Sequence, residues 1–209
     1  DPLALAESFG VDALRYFLLR EIVFGKDGSF SYDALVGRFN SDLANGLGNL
    51  VSRTLTMIHQ YRKGFIPAKA DFDIGDLVSQ TQAHYDAFDF SRAVESVWSL
   101  ISRLDGHIVA EQPWKLAKQT DEASQDRLDA VLYTAAEALR IITALIYPVI
   151  PDTAHKIWSM LGMPARLEDV RFEDLAWGGK VEQVQALFPR IEAKPAIEKM
   201  RELEEKETV

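Results

Sequence analysis

An all-α chain is predicted, on three observations. Apolar residues recur at threes and fours along most of the 209 residues, the period of a helix face and not the alternation of a half-buried strand. The longest such run holds Leu128, Val131, Leu132, Ala135, Ala138, Leu139, Ile142, Leu145 and Ile146 on one stripe. Pro148 and Pro151 then end it, because proline has no N–H to give a continuing helix.

Taken in order, Asp1 can cap a first helix with Pro2 in its first turn, and Gly10 stops it. Ala13, Leu14, Phe17, Leu18 and Ile22 give a second helix one apolar face, before a tight turn at Lys26-Asp27-Gly28. From Ser31 to Lys63 the pattern is helical again, with a stripe through Leu43, Leu47, Leu50, Val51, Leu55 and Ile58, a break expected near Asn40-Ser41, and Gly64 as terminator. A loop with Pro67 precedes a helix over about 74–88. Ser91 is the expected N-cap of the next, whose inner positions are Val94, Val97, Trp98, Ile101, Leu104 and Ile108. After the helix over about 122–147 comes a short one over 152–161, stopped by Gly162.

Amphipathic helices with short connections bury their stripes only against one another, so a bundle is expected. The expected division is a helical connector over 1–30, the bundle over 31–162, an irregular closing segment over 163–195, and a charged helical tail or linker over 196–209. A start at Asp1-Pro2 without an initiator methionine is expected of a piece of a longer chain.

Composition narrows the function. No run of apolar residues is long enough to span a bilayer, and no secretory signal pattern opens the chain, so no membrane role is expected. With no cysteine and with His59, His84, His107 and His155 far apart, no local metal motif is present and none is expected. A reducing, cytoplasmic setting fits. The formal net charge of −9 argues against binding DNA or RNA by bulk electrostatics, since that affinity comes from neutralising phosphates. Any nucleic-acid contact must be local and directed at bases.

Catalytic chemistry is not visible. Asp71, Asp73 and Asp76 mimic a calcium loop, but Gly75 stands where an oxygen ligand belongs, so capping of the next helix is the expected role. No glycine-rich phosphate loop and no Ser, His and Asp set occurs.

Two features exceed what a plain bundle needs. Asn45, Asn49 and Arg53 fall at i, i+4 and i+8, one polar row on one helix. Two asparagines with Gly46 and Gly48 cost that helix about 2 kcal/mol relative to alanine. A polar bundle face would explain the row structurally. Functionally, amides and a guanidinium fork suit the edges of nucleobases. The second feature is Gln112-Pro113-Trp114, where proline interrupts a helix and puts an indole on the corner. There it could cover the bundle end or serve as a stacking platform for an unstacked base.

Together these segments resemble the C-terminal half of bacterial-type methionyl-tRNA synthetases, class I aminoacyl-tRNA synthetases, over about 1–192. Phe9-Gly10-Val11-Asp12-Ala13-Leu14-Arg15-Tyr16-Phe17-Leu18-Leu19 is similar to the stretch that follows the family's lysine-serine signature loop. Asn45-Gly46-Leu47-Gly48-Asn49-Leu50-Val51-Ser52-Arg53 resembles its first anticodon-contacting helix, with Asn45, Asn49 and Arg53 on the base-reading positions. Pro113-Trp114 with Lys115 and Lys118 resembles the second element, whose tryptophan stacks on the anticodon. Trp177-Gly178-Gly179 and Leu187-Phe188-Pro189-Arg190-Ile191 are similar to the closing stretch.

The resemblance implies an anticodon-binding helical bundle that reads CAU on methionine tRNA and works with a catalytic domain. It implies no cofactor in this chain, because ATP, and zinc in members with a zinc-bearing insertion, belong to the catalytic part. Two rivals stand beside it. One is the anticodon domain of another class I synthetase, against which the Asn49-to-Arg53 segment argues. The other is a protein-interaction bundle with no RNA role, best supported by the acidic charge.

Overall fold

A computed structural model describes residues 2–23, 25, 28, 30–68, 70, 73–170, 172 and 179–207, with backbone only over 203–207. Four expectations lie outside the described residues in whole or part: the Asp1 cap, the Lys26-Asp27 turn, Asp71, and Trp177-Gly178.

Among the described residues ten α-helices follow one another: α1 Pro2–Phe9, α2 Val11–Glu21, α3 Tyr32–Arg38, α4 Asn49–Arg62, α5 Leu77–Asp86, α6 Phe90–Glu111, α7 Pro113–Leu116, α8 Glu122–Ile146, α9 Pro151–Met160 and α10 Ala193–Glu207. Between α3 and α4 the chain does not break at Asn40-Ser41. It continues through a π-helical stretch, Phe39–Gly48, so one rod runs from Tyr32 to Arg62. Among the described residues the only strand-like pairing is a single bridge between Phe65 and Lys180. No described helix is long and apolar enough to cross a membrane.

The bundle is built on α6, which packs against α5 and α8, while α4 crosses α8 and the π stretch rests on α6. Leu43, Leu47, Leu50, Leu55, Ile58, Val94, Val97, Ile108, Leu128, Leu132, Leu139 and Ile142 meet in its core with essentially no exposure. These are the apolar stripes that the 3.6-residue period identifies, now facing one another.

Helix ends differ in detail from the sequence-based expectation. Ser31 caps α3 through Ala34 N (3.3 Å) and Asp121 caps α8 through Ser124 N (2.9 Å). Ser91 is not a cap; it lies inside α6, and Asp89 holds the N-cap position without a side-chain capping bond, its carboxylate pairing with Arg92 instead. Asp76 likewise holds the N-cap position of α5 without a side-chain bond, and Asp73 bonds Gly75 N at 2.7 Å, which makes a local turn in place of the expected cap.

The N-terminal helices are fastened into the bundle over long sequence separations. Buried Asp12 accepts from Thr153 N at 2.6 Å, capping α9 from a distant helix. Arg15 donates to Pro148 O and Val149 O just after α8 (2.8 and 2.9 Å). Tyr16 is fully buried, stacks near Trp98 with ring centroids 4.4 Å apart, and donates to Asp42 Oδ2 at 2.7 Å. Burial first, then that bond to a carboxylate, raises the Tyr16 pKa far above the usual phenol value.

At the other end, residues 179–191 return along the rod formed by the π stretch and α4. Val181 N donates to Gly64 O (2.8 Å), His59 Nε2 lies 2.9 Å from Glu182 O, and Phe188 packs edge-on against Phe39. Asn40 closes the path, accepting from Ile191 N and donating to Ile191 O (2.9 and 2.8 Å). The expected tail begins earlier, at Ala193, and lies against α3 with Met200 buried.

Candidate nucleic-acid interface

The polar row sits where the rod changes from π to α geometry. The wider π turn sets each residue against the carbonyl five before it, and this accounts for both glycines. A Cβ at Gly48 would lie 3.0 Å from Leu43 O, and one at Gly46 would lie 3.3 Å from Ser41 O and 3.6 Å from Trp98 Nε1. The π backbone therefore leaves little room for a side chain at either glycine, which gives the glycines a local reason that the asparagines lack.

Asn45 and Asn49 are exposed. Among the described residues neither amide has a partner, and the same holds for the Ser52 hydroxyl. All three line a cleft of about 520 Å³ whose other wall is Val184, Gln185, Ala186, Leu187 and Phe188 of the return segment. Such a volume is within the range of small-molecule sites.

Arg53, the third member of the row, behaves differently. It is partly buried and its guanidinium Nη2 pairs with Asp105 Oδ1 of α6. Its Nε is buried without a partner. The row is thus divided: two amides open into the cleft beside the return segment, and the arginine turns toward α6.

Asp105 stands six residues before Glu111, where α6 ends, a rise of about 9 Å. There Gln112 takes a left-handed conformation (φ 49°, ψ 58°) and reverses the chain, and Pro113 begins α7 at the position that loses no N–H bond. Pro113 is buried while Trp114 is 40% exposed. The indole N–H meets no acceptor among the described residues. Lys115 and Lys118 beside it are exposed as well. The corner is braced from α8: Arg127 Nε donates to Glu111 Oε2 at 2.6 Å, and this bond holds the Glu111 carboxyl below its usual pKa. Gln125 Nε2 donates to Gln119 O at 2.6 Å and Arg62 Nη2 to Gln125 Oε1 at 3.0 Å, joining the end of α4 to the same corner.

The chemistry on offer is selective and uncharged in the main. Two free amides and a hydroxyl can donate and accept at a base edge, one guanidinium is held in place, and one indole face is open for stacking. Among the described residues no group of three His, Asp or Glu is placed to hold a metal ion.

Sequence reasoning singled out Asn45, Asn49, Arg53, Pro113 and Trp114 as candidates, and it did not point to Asp105, Ser52 or the Val184–Phe188 wall that the structure places beside them. Asp105 lies 52 residues from Arg53 in sequence, and neither local period nor motif announces such a pairing. The signal for the wall was available only as the closing stretch Leu187-Phe188-Pro189.

Comparison with known proteins is consistent along the chain. Residues 1–55 match the model of the class I tRNA synthetases (M), and residues 73–208 match the anticodon-binding domain of tRNA ligase. The chain is 43% identical over 223 residues to the methionine–tRNA ligase of Caldanaerobacter subterraneus, which covers 100% of this chain and 35% of that protein. With the methionine–tRNA ligase of Streptomyces coelicolor it shares 40% identity, over 93% of this chain and 40% of the relative. The solved apo structure of Mycobacterium tuberculosis methionyl-tRNA synthetase superposes with a TM-score of 0.85 at 38% identity, covering 92% of this chain and 41% of that one. This chain therefore spans between a third and a little over two-fifths of the proteins it matches.

Proposed function

The chain belongs to the anticodon-binding-domain family of the tRNA ligases, in its methionyl-tRNA synthetase form, and from that premise we propose that it reads the CAU anticodon of methionine tRNA. The observation that supports this most is the pair of exposed amides, Asn45 and Asn49, without partners among the described residues, on the rod that Arg53 ties to α6. Bases unstacked from the anticodon loop would stack on Trp114 and present their edges to Asn49 and Arg53, with Asn45 extending the row and Pro113 holding the corner rigid.

An acidic domain is compatible with this. Stacking and edge contacts discriminate between RNAs without a basic surface, and single-stranded loops are the usual targets of such readout. In this reading the chain supplies recognition to a ligase that joins methionine to its tRNA in the cytoplasm. ATP chemistry, and any zinc, belong to the catalytic domain it works with.

The test is Trp114→Ala in the full-length enzyme that carries this chain. Aminoacylation of methionine tRNA is expected to fall by about 10-fold or more, the worth of one base–aromatic stack, while ATP-dependent methionine activation changes little. Equal losses in both assays would make the indole a folding residue and overturn its assignment.

A further inference from the structure

Another cleft, of about 630 Å³, opens between α6 and α8 on the side of α6 away from the Arg53 pairing. Asp105 faces Arg53, whereas Arg103 and His107, two residues before and after it, are each turned about 160° from it around the helix and line this cleft. Its floor is aliphatic, with Leu104 of α6 and Val131 and Ala138 of α8 buried there. No Phe, Tyr or Trp lines it among the described residues. Gly106 stands at its mouth, exposed in the interior of the 22-residue α6, where glycine weakens a helix. Packing does not require that glycine, because a Cβ added to it would meet nothing within 4 Å beyond its own turn of helix.

The polar groups of the lining leave one cation free. Arg127 is paired with Glu111, its Nε donating to Oε2 at 2.6 Å. The Asp73 carboxylate is turned to Gly75 N at 2.7 Å. Arg103 is exposed and has no partner among the described residues, and the same is true of the half-buried Thr134 hydroxyl of α8. In a chain of net charge −9, an unpaired guanidinium beside an aliphatic floor is a placed charge and not part of a basic surface. We propose that this cleft binds a small aliphatic carboxylate, its head on Arg103 and Thr134 and its chain along Leu104, Val131 and Ala138. The planar fork of an arginine meets a carboxylate with two parallel hydrogen bonds, and one free cation calls for one negative charge. Covering the alkyl chain on the buried floor supplies the remaining affinity. A nucleobase is a poor fit, since no aromatic side chain offers it a stacking face. The site is independent of the anticodon reading and lies on a different face of α6.

The experiment titrates the 209-residue chain with sodium decanoate, below the concentration at which it forms micelles, and follows the heat of binding. One saturable site is expected. Arg103→Gln should weaken it about 10-fold, the worth of one charge-assisted hydrogen bond, and decan-1-ol, which lacks the charge, should bind more weakly than decanoate by a similar factor. Gly106→Leu fills the mouth of the cleft while improving helix propensity, so it should abolish binding with the helical circular dichroism intact. Absence of saturable binding, or undiminished binding by Gly106→Leu, would overturn the site. Equal affinity for decan-1-ol, or no loss in Arg103→Gln, would overturn the assignment of an anion. Tighter binding of decyl phosphate than of decanoate would overturn the singly charged head. None of these outcomes bears on RNA binding, which is measured separately.

Discussion

In the proposed reading Arg53 meets a base edge, and its guanidinium is paired with a group 52 residues away, Asp105. A free arginine fork must give up rotamer freedom to meet a base. Pairing with Asp105, with its stem buried, removes part of that freedom beforehand. Asp105→Asn should therefore lower the preference for CAU over other anticodon stem-loops by about 5- to 10-fold, a little over 1 kcal/mol. Filter binding at two salt concentrations checks it. Loss of a nearby negative charge alone would tighten all RNAs together and fade with salt, so an unchanged preference ratio would remove Asp105 from the recognition apparatus. At this scale much could be read directly from the sequence. Asn45, Asn49 and Trp114 are exposed as their types and spacing suggested, because nothing in the interior offers them partners. The pairing of Arg53 was not readable, since it joins α4 to α6 across 52 residues of sequence.

The π stretch is the element that periodicity misread. Its apolar residues Phe39, Leu43 and Leu47 keep a spacing of four that either helix type tolerates, so the sequence showed one helix with an expected break at Asn40-Ser41. The structure resolves the tension differently, by widening the turn and leaving little room for a side chain where the i−5 carbonyl approaches. Gly48→Ala discriminates between the two views. In an ordinary helix interior that change stabilises by about 1 kcal/mol, whereas here the added Cβ meets Leu43 O at 3.0 Å. Urea unfolding should show no gain or a loss, and a gain of the full helix-propensity value would mean the turn relaxes to α geometry without penalty. Capping was also only partly readable. Ser31 and Asp121 act as their types predict, but α9 is capped by Asp12 from across the molecule, a partner 141 residues away that no local signature reveals.

At the scale of the whole molecule, the bundle, the N-terminal helices and the return segment share one continuous core. Asp12, Arg15 and Tyr16 lock α2 to the ends of α8 and α9 and to the start of the polar rod. The long amphipathic helices made the fold class plain, because their stripes could be buried only against each other. The course of residues 179–191 was not, since an irregular segment carries no period and its place is decided by backbone bonds to Gly64, Met160 and Asn40. With a net charge of −9, affinity for RNA has to come from a few placed groups, so selectivity should exceed what charge alone would provide. The most direct test is a fluorescence titration of the chain with anticodon stem-loops. Among the described residues Trp114 is the exposed indole, Trp98 being half-buried against the core and Trp158 buried, so stacking should quench emission. The account predicts the strongest quenching and the tightest binding for the methionine anticodon, both lost in Trp114→Ala. An equal response to isoleucine or valine anticodons would contradict it.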